Sequence, residues 1–217
     1  MPPQPSSPRP RLTLMTVFAI LSCAALAFWA DTLVDRGWRK GIEAATESAN
    51  ETVTRVFINQ NWEPIRDRLL NERALAQPRN NPELPAVDRM VRAMVAGTDV
   101  IKVKIISTSG RTLYSSDASQ IGEDRPNNAG VRLAAQGKVA SELTHRGQFS
   151  AFDGDLLDRD LVSSYVPVRG PGGVEAIVEI YADRTTALHK LEGSTLVLRA
   201  GIAASLLAGL LLVVGAI

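Results

Sequence analysis

Lys102 and Lys104 stand inside a run of β-branched residues, VIKVKIISTSGRTLYSSD (100–117), where charge is out of place. At alternate positions of a strand both face one side, opposite Ile101, Val103 and Ile105. With Tyr114, Arg132, His145, Arg146 and Tyr165 they form the candidate ligand-binding set. The chemistry they suit is capture of an anion such as a carboxylate, because a charge-assisted hydrogen bond is about twice as strong as a neutral one. If the lysine face meets water instead, both are ordinary solvated side chains.

Other chemistries find less support. The His145 imidazole titrates near neutral pH, but His189 is the only other histidine, so a histidine-based metal site is not expected. The acidic run 153–160, DGDLLDRD, lacks the glycine and terminal glutamate spacing of an EF-hand and reads as a solvated connection. Cys23 is the single cysteine, which excludes a disulfide framework and a cysteine metal site. No nucleophile elbow, P-loop, dinucleotide or zinc-protease pattern occurs, so neither catalytic residues nor a cofactor are expected. The 24 Lys and Arg against 23 Asp and Glu leave a net charge of +1, with no basic excess for nucleic acid.

The elements that must position these residues can be read from periodicity. Residues 100–117 read as strand, turn and strand, with Ser107-Thr108-Ser109-Gly110 as turn. Before them, 31–60 places Val34, Trp38, Ile42, Ala45, Ala49, Val53, Val56 and Phe57 on one semi-apolar helical face. That face either packs on its own domain or continues as a dimer seam. Pro64 predicts a break near Trp62 and a new helix to about Ala76. A helix opened by Pro85 carries Val87, Met90, Val91, Met94 and Val95 as core residues, with Gly97 past its end. After the loop 120–128 come a short helix over 129–136, closed by Gly137, and strands at 138–146, 161–168 and 174–181. The expectation is one five-stranded antiparallel sheet paired consecutively. Asp183 can cap a final helix bearing Leu188 and Leu191.

The apolar residues concentrate at the two ends of the chain. Residues 12–30 are uncharged for about the 20 residues a membrane helix needs, and Arg9 and Arg11 before them place the N-terminus in the cytoplasm. Trp29 sits at the expected interface. A cleaved signal peptide ending at Ala27 is the alternative, and lipoprotein processing at Cys23 fits poorly. A second span is expected from Ala200 to Ile217, with Arg199 snorkelling at its edge. It lacks a basic cytoplasmic flank, as if the chain were cut short. The domain reading is therefore a cytoplasmic tail (1–11), transmembrane helix 1 (12–30), an extracytoplasmic domain (31–192), and a membrane-proximal segment with transmembrane helix 2 (193–217).

This order resembles the single Cache (PAS-like, PDC-type) extracytoplasmic sensor domains of bacterial membrane receptors, over about 31–192. Its local marks are 105–117 with Ile121-Gly122-Glu123-Asp124, which resembles the family's strand, glycine turn, strand and isoleucine-glycine-x-aspartate run. SELTHRGQFSAF (141–152) and DRDLVSSYVPV (158–168) resemble extracytoplasmic regions of membrane-bound histidine kinases and diguanylate cyclases. The resemblance implies an α+β fold: a long N-terminal helix and a PAS-like five-stranded antiparallel sheet between two transmembrane helices. It also implies a periplasmic sensory module in the bacterial inner membrane. Such a module forms a homodimer, binds a small molecule, an anion among the candidates, and relays through the second span to a kinase or cyclase output. Amino-acid-sensing members carry an arginine and an aromatic pair where Arg125-Pro126-Asn127-Asn128-Ala129-Gly130 stands here, so amino-acid recognition does not transfer. A stand-alone membrane-tethered interaction module and an exported binding protein are the alternatives.

Overall fold

The computed structural model describes residues 10–215 and divides into two compact units, one of 40–188 and one of the chain before and after it. Residues 1–9, most of the expected cytoplasmic tail, and the last two residues of the expected second span lie outside the described residues.

Helix α1 runs Pro10–Leu69 without the break expected at Pro64. Packing on both sides of the proline overrides its missing N–H: Trp62, Ile65 and Leu69 are buried, and the Trp62 indole N–H donates to Glu175 Oε2 at 2.8 Å. The helix ends instead at Leu69, and Asn71 links it to the next one. Its Nδ2 donates to the Asp67 carbonyl at 2.9 Å, and its Oδ1 accepts the Ala74 N–H as the cap of α2 (Glu72–Ala76).

The face that α1 buries also departs from the sequence reading. Ala45, Ala49 and Val56 are exposed, and Thr46, Asn50 and Thr54 are buried with Phe57. These polar groups are tolerated because each is satisfied. Asn50 Nδ2 donates to Ser164 Oγ at 3.0 Å, the Thr54 hydroxyl donates to the Asn50 carbonyl at 2.7 Å, and Thr46 Oγ1 accepts from Arg184 Nε at 2.9 Å.

Helix α3 (Leu84–Val95) follows the sequence closely: Val87, Val91 and Val95 are buried, Met90 and Met94 pack against them, and Gly97 takes a φ of 77°. The sheet comprises β1 (Val100–Ser107), β2 (Thr112–Ser115), β3 (Ala140–Ala151), β4 (Gly154–Gly170) and β5 (Gly173–Asp183). It is antiparallel throughout, in the order β2-β1-β5-β4-β3. The expected consecutive pairing therefore fails at one place: β5 inserts beside β1, and β2 and β3 become the two edges. The reason is burial. β5 is buried on both faces from Ala176 to Ala182, and a central position is the one that covers both.

On one face Val103, Ile105, Val178 and Ile180 join Phe57, Trp62, Ile65 and the valines of α3 in the main core. Each such side chain contributes about 1.5–3 kcal/mol. On the other face Ile106, Tyr165 and Ile177 pack on Val131 and Ala134 of α4 (Ala129–Ala135). Asn128 caps α4 by accepting the Val131 N–H at 2.9 Å.

The acidic run 153–160 is not a loop. The β3–β4 ladder continues to the Ala151↔Gly154 pair, so Asp155, Asp158 and Asp160 are strand residues. Phe152 and Asp153 form the hairpin turn, and Gly154, with a φ of 118°, takes the left-handed position that follows it. The ladder is interrupted where Gly147 faces Asp158, whose φ is 56°. Beyond that point the hairpin reaches β1, and the Phe152 N–H donates to the Ile101 carbonyl at 2.9 Å.

Helix α5 (Thr185–Gly215) begins directly after β5, with Asp183 Oδ1 accepting the Thr185 N–H at 2.9 Å, as its expected cap. In the other unit, Arg199 Nε approaches Asp31 Oδ1 at 2.5 Å. By length and composition α1 could cross a membrane; the apolar stretch of α5 among the described residues, Arg199–Gly209, is shorter.

Candidate functional site

The β1 alternation that drives Val103 and Ile105 into the main core drives Lys102 and Lys104 onto the α4 face, where they are 2% and 1% exposed. They are not solvated lysines. Register sets Lys102 opposite Tyr181 and Lys104 opposite Glu179 on β5, and Glu179 in turn opposite Tyr165 on β4. Two cations, a carboxylate and two phenols thus meet on three adjacent strands.

Lys102 is engaged. Its Nζ donates to Gln120 Oε1 at 3.3 Å, lies 3.6 Å from Asp117 Oδ2, and stands 4.4 Å from the centroid of the Phe149 ring. Phe149, brought here by the hairpin beyond Gly147, also packs on Tyr181 with ring centroids 4.9 Å apart. Lys104 makes no hydrogen bond and no ion pair with any described residue. Glu179, also 1% exposed, accepts the Tyr181 hydroxyl on Oε1 at 2.6 Å. The Tyr165 hydroxyl accepts from Asn128 Nδ2 at 3.1 Å and turns its own O–H to the Glu179 carboxylate beside it, which helps hold the phenol protonated.

Burial is the main force on the protonation of these groups. It lowers the pKa of both lysines, opposed by Asp117 at Lys102 and by Glu179 at Lys104. It raises those of Tyr165 and Tyr181, and the Glu179 charge raises them further. The Asp117 carboxyl is held below its usual range chiefly by the Ser119 hydroxyl, with Lys102 adding to the effect.

Of the residues expected from sequence, Lys102, Lys104 and Tyr165 converge here. Tyr114 does not: it lies on the opposite face and donates to Asp88 Oδ1 at 2.7 Å. Arg132 is exposed on α4. His145 and Arg146 are exposed on β3, where His145 lies 3.2 Å from both Asp158 and Asp160. Glu179, Tyr181, Phe149, Gln120 and Asn128 complete the constellation. Glu179 and Tyr181, polar positions at period two inside an apolar strand, are the same signal as the lysines of β1.

A buried ammonium with no ion pair costs several kcal/mol relative to apolar packing. Strongly perturbed groups of this kind cluster at functional sites. No histidine, cysteine, aspartate and glutamate cluster suited to a metal occurs among the described residues. An open groove of about 500 Å³ lies on the α1–α3 side, lined by Val53, Phe57, Met90 and Met94 among others. It offers no charged group, so the chemistry belongs to the opposite face of the sheet.

No family model matches the chain, and no curated protein matches it. Solved structures do. The Escherichia coli DcuS sensor domain is 14% identical, with 60% of this chain and 90% of that one covered and a TM-score of 0.38. The Vibrio cholerae histidine kinase DctB sensor domain is 15% identical over 67% of this chain and 57% of that one, with a TM-score of 0.37. The ligand-binding domain of the Campylobacter jejuni chemoreceptor Tlp3, solved with L-valine, is 12% identical over 76% and 63%, with a TM-score of 0.39. The chain thus spans less than two thirds of the latter two. Its function is therefore read from the buried site on its own sheet.

Proposed function

We propose that this chain is the extracytoplasmic sensory module of a transmembrane signal transducer, of the single Cache, PAS-like kind. It binds a small molecule on the α4 face of the sheet and relays occupancy through α5 to an output domain of histidine kinase or diguanylate cyclase type. The observation that carries this reading is Lys104, buried without a hydrogen bond or ion pair on the α4 face, opposite the buried Glu179 carboxylate. The relay has a short physical route. Glu179 and Tyr181 lie four and two residues before Asp183, which caps α5.

In this reading α1 and α5 both cross the inner membrane, the N-terminus is cytoplasmic and unit 40–188 is periplasmic. The exposed stripe of Ala45, Ala49 and Val56 supports a homodimer seam along α1. No catalysis is assigned to the chain. A ligand can shift the signalling equilibrium only by its different affinity for two states. The test is a thermal-shift screen of the full chain in nanodiscs against small acids, amines and metals, followed by cysteine cross-linking over 188–198 with and without the compound found. A ligand-dependent change of cross-linking pattern is expected; identical patterns defeat the relay.

A further inference from the structure

Pro64 leaves a mark on α1 beside the groove that opens between α1 and α3. A proline has no N–H, so the Gln60 carbonyl loses its helical donor. Gln60 is one of the residues lining that groove, with Val53, Val56 and Phe57 from α1 and Met90 and Met94 from α3. Its volume of about 500 Å³ lies within the ~300–1,000 Å³ of small-molecule sites.

The lining is mainly apolar, and none of it is charged. Two of its polar side chains already donate to their own helix: the Thr52 hydroxyl to the Ser48 carbonyl at 2.8 Å, and Asn61 Nδ2 to the Phe57 carbonyl at 3.1 Å. Phe57 is buried, and the half-buried Met90 and Met94 are unbranched and adapt to the shape of what they touch. Next to Thr52 and Val56 round the helix stands the Glu51–Arg55 ion pair, at 2.6 Å, which bounds the apolar strip and suits it to a small molecule rather than to a second chain.

Solvent satisfies the Gln60 carbonyl while the groove is open. An apolar body lying in the groove excludes that solvent, and the carbonyl then stays unpaired unless the molecule brings its own donor. A charged group would be desolvated there without a counter-ion.

We propose that the α1–α3 groove binds a small neutral molecule with an apolar ring body and one O–H or N–H donor, which pairs with the Gln60 carbonyl. This is a second site, on the opposite face of the sheet from Lys104 and Glu179.

The test is titration of the full chain in nanodiscs at pH 7, labelled with carbon-13 at the methionine methyls, with 2-naphthol, 2-methoxynaphthalene and 2-naphthoate. Met90 and Met94 report the groove, while Met1 and Met15, near the N-terminus, report entry of a probe into lipid. With 2-naphthol, saturable shifts at Met90 and Met94 are expected. The ether should bind about three- to tenfold more weakly, the loss of one neutral hydrogen bond, and 2-naphthoate should give no shift. A93W, at an exposed lining position, should fill the groove and abolish the response, and A93S should keep it. P64A returns an N–H to the Gln60 carbonyl, so the preference for 2-naphthol over its ether should vanish.

No saturable shift at Met90 and Met94 overturns this inference, including the case in which a second copy already fills the groove. So does 2-naphthoate or the ether binding as tightly as 2-naphthol, or a preference that survives in P64A. Each of these outcomes leaves the sensor reading standing, because that reading rests on the α4 face.

Discussion

Gly130 stands so close to the Tyr165 ring that a Cβ at position 130 would lie 2.2 Å from Tyr165 Cδ2. The first turn of α4 is thereby keyed to the ring that borders Glu179. In an ordinary helix Gly→Ala stabilises by about 1 kcal/mol. Here G130A is expected to destabilise by about 1–3 kcal/mol, since the ring has to move against packed neighbours. Denaturant unfolding measures it, and a midpoint above wild type would show that Tyr165 yields freely.

The buried lysines give stability a pH dependence of definite sign. Their folded pKa values lie below the unfolded value of about 10.4. Between the two values the unfolded chain holds the extra proton, so stability rises with pH through that window. Above about 10 the tyrosines reverse the trend, because Tyr114, Tyr165 and Tyr181 keep their protons in the folded state after the unfolded chain has lost them. Unfolding midpoints from about pH 8 to 10 should therefore climb in the wild type, and K104M should flatten the climb. An unchanged slope in K104M would show that Lys104 is not the group responsible.

Pro64 lies inside α1, where it deprives the Gln60 carbonyl of its helical donor. Proline in a helix interior costs up to about 3 kcal/mol relative to alanine. P64A should raise the thermal midpoint, with a gain of about 1–3 kcal/mol. A loss of stability would mean that Trp62 and Ile65 need the bend the proline imposes.

Arg184 ties the start of α5 to three other segments. Its Nε donates to Thr46 Oγ1 at 2.9 Å, its Nη1 lies 2.5 Å from Asp99 Oδ2, and its N–H donates to the Asp160 carbonyl at 2.8 Å. R184Q keeps the backbone bond and loses the ion pair. Amide exchange at 185–188 should accelerate about tenfold, equivalent to about 1.4 kcal/mol of local stability. Unaltered protection there would remove Arg184 from the coupling between sheet and helix.

Much of the fold was legible because it depends on period and on end signals. The β1 turn, the valine face of α3, the Asp183 cap and the left-handed glycines 97 and 137 are all local. The features that were not legible depend on distant partners. Nothing near Pro64 announces that Trp62 will be held by Glu175, and the apolar spacing of Ala45 and Ala49 conceals that Thr46 and Asn50 are received by Arg184 and Ser164. Within the site, the alternation of Lys102 and Lys104 indicated the face but not its burial. That comes from α4 and from the hairpin that carries Phe149 across β1. Arg132, His145 and Arg146 were chosen by chemical type, and type alone does not say which face or which end of a strand a residue occupies.

The order β2-β1-β5-β4-β3 places the last strand made at the centre of the sheet. During synthesis the β1–β2 and β3–β4 hairpins can each form as they emerge, but neither has its inner neighbour until residues 173–183 have been made. Until then two apolar edges are open to other chains. Closure joins residues some 80 positions apart, such as Val100 and Ala182, which makes the final step one of high contact order and slow folding. The strand that carries Glu179 and leads into α5 is thus also the strand whose arrival turns two separate hairpins into a domain.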